Sequence, residues 1–424
     1  MLQIPLPYGK TTLPLNLEEN RIQGILHPEL EAYSPGKAPE ALVREALESP
    51  IDSQPLWVLS QGKQRVTIIA SDHTRPVPSK LLMPALLAQI RRGNPRAEIT
   101  ILIATGCHRN TSRDELIAKF GAEIVEKEKI VVHNCDDEEN MCLLGTLPSG
   151  GPCRVNRLAV EADLLVAEGF IEPHFFAGYS GGRKSVLPGV AARETVLANH
   201  CAEFIDHPAA RAGSLDDNPI HRDMVWAAEK AGLAFILNVV LNSEKQVIHA
   251  VAGHAIAAHR AGCAFLERLC GVKAVPGDIV VSTNGGYPLD QNIYQAVKGM
   301  TTAEATVKAG GVIIMLAKSN DGHGGDAFCR ELAAGSDMGA LMNNILKRPR
   351  NQTLPDQWQA QIMIRILQKA RIVYISDAPD HLVRSLHMTP AKDLPQALAI
   401  AEDMLRNPAA SVTVIPDGLG VIVL

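Results

Sequence analysis

Three short apolar runs, residues 66–70, 99–103 and 279–282, each break off into a polar cluster, and no other feature restricts the fold of this chain as much. Largely apolar runs of this length without alternation belong to strands covered on both faces, as in a parallel sheet. Helical periodicity at 79–92 and 113–120 fills the intervals, so the strands are predicted to be joined by crossovers. Further strands are predicted at 130–133, 164–168, 235–241 and 246–251, the last two completing the sheet, followed by a helix at 255–269. Gly271 closes that helix, Pro276-Gly277 breaks the chain, and the pattern then restarts. Strands are expected at 279–282, 311–316, 372–375 and 411–415, with helices at 291–309, 327–334, 338–346 and 356–369. A chain of 424 residues exceeds what one hydrophobic core usually supports. The reading is therefore α/β, with two Rossmann-like α/β domains, 1–271 and 272–424, and an interdomain cleft.

Composition excludes several classes of partner. Lysine and arginine total 41 against 46 acidic residues, a net charge of −5 with no block of like charge, so neither nucleic acid nor a membrane surface is an expected partner. Aromatic residues make up 4%, too few for base-stacking platforms. No run approaches the about 18 apolar residues of a membrane span. The opening Met1-Leu2-Gln3-Ile4-Pro5-Leu6-Pro7 lacks the charged and then long apolar segment of a signal peptide. The eight cysteines are scattered without a C-x-x-C pair, which points to a reducing cytoplasm.

Ligands of open α/β sheets bind outside the carboxyl ends of the strands, where the polar clusters of this chain fall. They are Ser71-Asp72-His73-Thr74-Arg75-Pro76, Ala104-Thr105-Gly106-Cys107-His108-Arg109, and Asn284-Gly285-Gly286-Tyr287-Pro288 leading to Tyr294-Gln295-Ala296-Val297-Lys298. Tyr294, Gln295 and Lys298 have helical spacing and can share one face near an anion-favouring helix end. The richest segment is 172–185, Glu-Pro-His-Phe-Phe-Ala-Gly-Tyr-Ser-Gly-Gly-Arg-Lys-Ser. Its three glycines, Gly178, Gly181 and Gly182, permit a tight turn, while Arg183 and Lys184 are expected to offer cationic donors to an anion and Ser185 a hydroxyl. It is not a phosphate-binding loop of the nucleotide hydrolases, because Arg183 stands where the second glycine is required. Standing alone it would read equally well as a surface turn with solvated cations.

Together the clusters resemble the lactate racemase family, enzymes that carry a nickel pincer nucleotide, and the resemblance runs from Asp72 through Trp358. In that family the cofactor is a pyridinium-3-thioamide-5-thiocarboxylic acid mononucleotide whose nickel is held by two sulfurs, a ring carbon and one histidine. The resemblance implies that His200, in Leu197-Ala198-Asn199-His200, is that metal ligand. It matches Lys184 to the lysine that can be joined to the cofactor through a thioamide, and His108 and His174 to the acid/base pair. Asp72 and Arg75 fall in the cofactor region, and Arg75, Tyr294, Gln295, Lys298 and Trp358 among the substrate-binding residues. Domain 1–271 would then hold the cofactor and the catalytic groups, and domain 272–424 would contribute substrate residues to the cleft. The implied activity is racemisation or epimerisation of a small 2-hydroxy acid by reversible hydride transfer. The implied partners are that acid and the proteins that build the cofactor and deliver nickel. The identity of the acid, a covalent bond at Lys184 and homo-oligomer formation stay open.

The residue types suit this chemistry. Removal of hydride from a 2-hydroxy acid leaves a planar keto acid, and inversion then needs a base for the hydroxyl of each enantiomer, a role for two imidazoles. Arg75 and Lys298 can hold the carboxylate. Each residue also has a plainer reading. Most of the 14 histidines, including His27, His249, His254, His259, His381 and His387, read as structural or solvated. His73 would point away from Asp72 if the strand continued. Cys107 beside His108 reads as a bystander rather than a nucleophile, and Trp358 equally as a packing residue. Two other readings are a binding or regulatory module without chemistry, and an enzyme using Lys184 as a Schiff-base lysine.

Overall fold

The computed structural model describes residues 1–424, and they divide into two compact units. The first comprises residues 31–200 and 207–268; the second comprises 1–30, 201–206 and 269–424. The first 30 residues, expected with the N-terminal domain, thus pack with the C-terminal one. The physical reason is strand pairing: Ile22–Ile25 adds to the edge of the C-terminal sheet beside Val412–Ile415. No helix is long and apolar enough to cross a membrane.

In the first unit the apolar runs form the centre of a six-stranded sheet. Its order is Val247–Gly253, Leu233–Leu241, Leu164–Phe170, Arg65–Ser71, Glu98–Ala104 and Lys129–Val132. Leu164–Phe170 is buried at every position, which explains its uninterrupted apolar character apart from Glu168 and Gly169. Val247–Gly253 departs from the all-parallel expectation and runs antiparallel to Leu233–Leu241. Residues 242–246 between them are too few for a crossover, so only a hairpin is open to the chain. The helices Ser79–Gly93 and Arg113–Phe120 follow the first two strands, the latter opened by a capping box of Ser112 and Glu115. Helix Pro219–Lys230, absent from the sequence reading, begins at an Asn218 cap followed by proline.

The second unit holds another six-stranded sheet, all parallel, ordered Thr389–Ala391, Arg371–Ile375, Val307–Leu316, Gly277–Thr283, Val412–Ile415 and Ile22–Ile25. Helix Ile293–Thr306 is shorter than the expected 291–309, because Val307 already pairs with Gly277 and continues as strand. A hairpin of Leu2–Tyr8 with Thr11–Leu17 buries Ile4, Leu6, Leu15 and Leu17 in this unit's core.

Candidate active site

In the first unit the strand order reverses beside Arg65–Ser71: the next strands in sequence go to one side, and Leu164–Phe170 returns on the other. Such a reversal opens a crevice at the carboxyl ends of the two central strands. Asp72 follows the first of these and the 171–185 segment follows the second, so both arrive at the place where the topology leaves room.

Asp72 is 1% exposed, and its carboxylate is fully engaged: Oδ1 accepts from Thr74 N and Oγ1 at 3.1 and 2.6 Å, and Oδ2 accepts from His108 Nδ1 at 2.8 Å. Burial alone would raise this carboxyl; the hydrogen bonds of His108 and Thr74 and the charges of His108 and Arg75 outweigh it and hold its pKa below the usual range. With Nδ1 committed to Asp72, the basic nitrogen of His108 is Nε2, on a side chain that is 46% exposed. The turn bearing His108 is tied down by Gly106 N donating to Gly189 O at 2.9 Å and Thr105 Oγ1 to His133 O at 2.7 Å. Arg75 is exposed and leans on Thr74 Oγ1 at 2.9 Å. His73 turns to Thr111 instead, at 3.1 Å.

The 171–185 segment brings three further groups together. Ala177 N donates to His174 Nδ1 at 3.3 Å, and His174 Nε2 stands 3.4 Å from Lys184 Nζ. The Phe176 ring stands edge-on to both His174 and His200, with centroids 4.5 and 5.1 Å away, and Lys184 Nζ lies 5.8 Å from its centroid. His200 caps helix Arg193–Asn199 and is 5% exposed. Its Nδ1 donates to Val196 O at 2.9 Å, which makes Nε2 the lone-pair nitrogen. Burial, aided by the Lys184 charge, pulls its pKa down to about 3, so the ring is neutral at physiological pH.

Those are the properties of an imidazole ligand to a soft divalent metal. No three histidine, cysteine or acidic side chains gather to hold a metal by themselves. A metal at His200 would take its other donors from an organic group, and the single neutral imidazole fits a nickel pincer nucleotide in that respect. Arg183 does not play the expected part: its side chain is wholly buried, with its nitrogens against carbonyls and the rings of His221 and His259 rather than facing a ligand.

The second unit assembles its own cluster. Tyr294, Gln295 and Lys298 are half-buried on the first turns of helix Ile293–Thr306, which Asn292 caps through Gln295 N at 2.9 Å. Tyr294 donates to Asp356 Oδ1 at 3.0 Å and shares a hydrogen bond with Trp358. Burial, then the Asp356 carboxylate, raises the phenol far above its ordinary value, so it remains a donor. Trp358 is therefore part of this cluster and not packing alone.

Sequence reading gave no role to Phe176, Glu168 or Lys119. Phe176 had a signal, an aromatic ring next to His174 and the glycine turn. Glu168 had one too, an acid inside an apolar strand; it is fully buried, accepts from Ser79 Oγ at 2.5 Å, and burial raises its carboxyl to about 6. Lys119 donates to Arg75 O at 3.2 Å and carries no signal in the sequence.

Residues 8–213 match the lactate racemase N-terminal domain and residues 272–423 the lactate racemase C-terminal domain. The chain belongs to the lactate racemase family. It is accordingly an isomerase. The lactate racemase of Thermoanaerobacterium thermosaccharolyticum is 54% identical over 100% of this chain and 99% of its own length, and that of Lactiplantibacillus plantarum is 50% identical over the full length of both. The solved structure of the Thermoanaerobacterium lactate racemase apoprotein superposes with a TM-score of 0.96, covering 100% of each chain. A Thermotoga maritima protein at 20% identity, covering 91% of this chain and 97% of its own, shares the fold alone, with a TM-score of 0.62.

Proposed function

We propose that this member of the lactate racemase family interconverts the enantiomers of a small 2-hydroxy acid, lactate in the first instance, with His108 and His174 as the acid/base pair. One observation carries the reading: at the strand reversal, one imidazole is oriented by a buried carboxylate and the other stands 3.4 Å from Lys184. The nickel pincer nucleotide, when bound, supplies an electrophilic carbon that can take up the substrate's α-hydrogen as hydride. Lys184 and His200 would hold it, the histidine as nickel ligand, with Asp72 and Arg75 bordering it.

The chain's own residues manage the proton and the pose. His108 Nε2, oriented by the Asp72 bond to the opposite nitrogen, accepts the hydroxyl proton of one enantiomer and returns it in the reverse direction. His174 does the same for the other. Arg75 is assigned to the substrate carboxylate in the first unit, and Tyr294, Gln295, Lys298 and Trp358 are the substrate-binding residues assigned in the second. The relatives named lactate racemase support lactate as substrate. Eight free cysteines and the absence of a membrane-crossing helix fit a cytoplasmic enzyme served by cofactor-building and nickel-delivery proteins.

The test is polarimetry on single-enantiomer lactate with protein co-expressed with the cofactor pathway and assayed for nickel. Loss of optical purity is expected, and His108→Ala and His174→Ala should each reduce turnover by at least about a hundredfold at equal nickel content. Unchanged turnover in both variants would reject the acid/base assignment.

A further inference from the structure

Arg183 sits beside Lys184 yet faces inward. Its side chain is 0% exposed, and no carboxylate is among the groups that act on it. Burial pulls its pKa down to about 10, so it keeps its charge at neutral pH. A buried cation without a counter-ion is costly unless hydrogen bonds surround it. Those bonds come from the turn itself: Nη2 donates to Ala177 O at 2.7 Å, and Nη1 to Tyr179 O at 2.8 Å and Gly181 O at 3.2 Å. Nε donates to His221 Nδ1 at 2.9 Å.

The backbone explains why so many carbonyls converge. Gly178, Gly181 and Gly182 have φ of 78°, 76° and 53°, and a Cβ at Gly182 would come within 2.7 Å of the His259 ring. A chain bent repeatedly through the left-handed region turns its carbonyls inward, where only a donor-rich group can sit among them. The planar guanidinium reaches acceptors in several directions at once, whereas a lysine ammonium is a single point. His221 adds a neutral acceptor, since burial and the Arg183 charge hold its pKa down to about 3, and His259 Nε2 lies 3.0 Å from Nη1.

We propose that Arg183 is a positioning residue, gathering the carbonyls of the 177–181 turn around its guanidinium and so setting the approach of Lys184 to His174. It touches neither substrate nor cofactor and acts through the two groups at the ends of the turn. The inference rests on the roles given above to His174 and Lys184, but its test does not use turnover.

The apo chain is labelled with a trace of acetic anhydride across a pH series, and acetylation of Lys184 relative to the other lysines is read by peptide mass spectrometry. Circular dichroism and thermal unfolding are followed in parallel. In folded Arg183→Lys the relative reactivity of Lys184 should change by about tenfold, the effect expected when a charged hydrogen-bond network is lost, and its pH profile should shift. His221→Leu, which removes one acceptor of the same guanidinium, should shift the profile in the same direction, and His221→Gln should restore it. A folded Arg183→Lys chain with the original Lys184 profile overturns the proposal. If that variant does not fold, an unaltered profile in His221→Leu overturns it. Failure of the racemase reading would appear instead as unchanged turnover in His108→Ala and His174→Ala.

Discussion

The role proposed for His108 turns on its Nδ1. Asp72 Oδ2 accepts from that nitrogen at 2.8 Å, which selects the tautomer with its lone pair on Nε2 and sets a carboxylate against the ring. An amide in place of the carboxylate keeps the shape but supplies no negative charge, and it can present a donor where an acceptor is required. Asp72→Asn is therefore expected to lower kcat, normalised to bound nickel, by about two to four orders of magnitude. The same carboxylate accepts two bonds from Thr74, so stability should also fall, by about 1–3 kcal/mol. Steady-state kinetics with nickel analysis separates the two effects; a kcat within a few-fold of the original would remove Asp72 from the orienting role.

Helix Ile293–Thr306 presents Tyr294, Gln295 and Lys298 from its first turns, and its start is held by the Asn292 side chain on Gln295 N at 2.9 Å. Asn292→Ala should cost about 1 kcal/mol in denaturant unfolding and raise KM for the acid more than it lowers kcat; an unchanged KM would show that the cap does not position the substrate residues. The strands after which the site groups come were legible because burial on both faces leaves a largely apolar run, as in Arg65–Ser71 and Leu164–Phe170. The N-terminal hairpin was not, since Pro5, Pro7 and Pro14 argue against strand although Pro5 and Pro14 pair directly. The direction of Val247–Gly253 was also hidden, because the length of its connection and not its composition decides it. Candidate site residues stood out where they follow a strand end or a glycine turn. The Asp72–His108 bond joins residues 36 apart in sequence and became visible only once two neighbouring strands aligned their ends. Arg183 misled for a related reason: a cation beside glycines and a lysine looks solvated until the turn closes around it.

At the scale of the whole molecule, a net charge of −5 over 424 residues is too small for self-repulsion to set the response to mild acid. Buried neutral histidines set it instead. His133 is 0% exposed, donating through Nε2 to Ala191 O at 3.1 Å and accepting at Nδ1 from Asn156 at 3.2 Å, so neither nitrogen has room for a further proton. Burial lowers its pKa from 6.5 to about 4, and His221 is lowered in the same direction. Between those values the unfolded chain holds a proton that the folded chain refuses. Folding stability should therefore be greatest above pH 6.5 and fall as the pH drops toward about 4, His133 alone accounting for about 3 kcal/mol across that window. Urea unfolding of the apo chain at neutral pH and at about pH 5 measures the slope. His133→Gln should be less stable at neutral pH but lose less on acidification, because the glutamine has no proton to gain. Equal slopes in the two proteins would mean that another group takes up the proton and that the neutral His133 ring is not what makes this unit sensitive to acid.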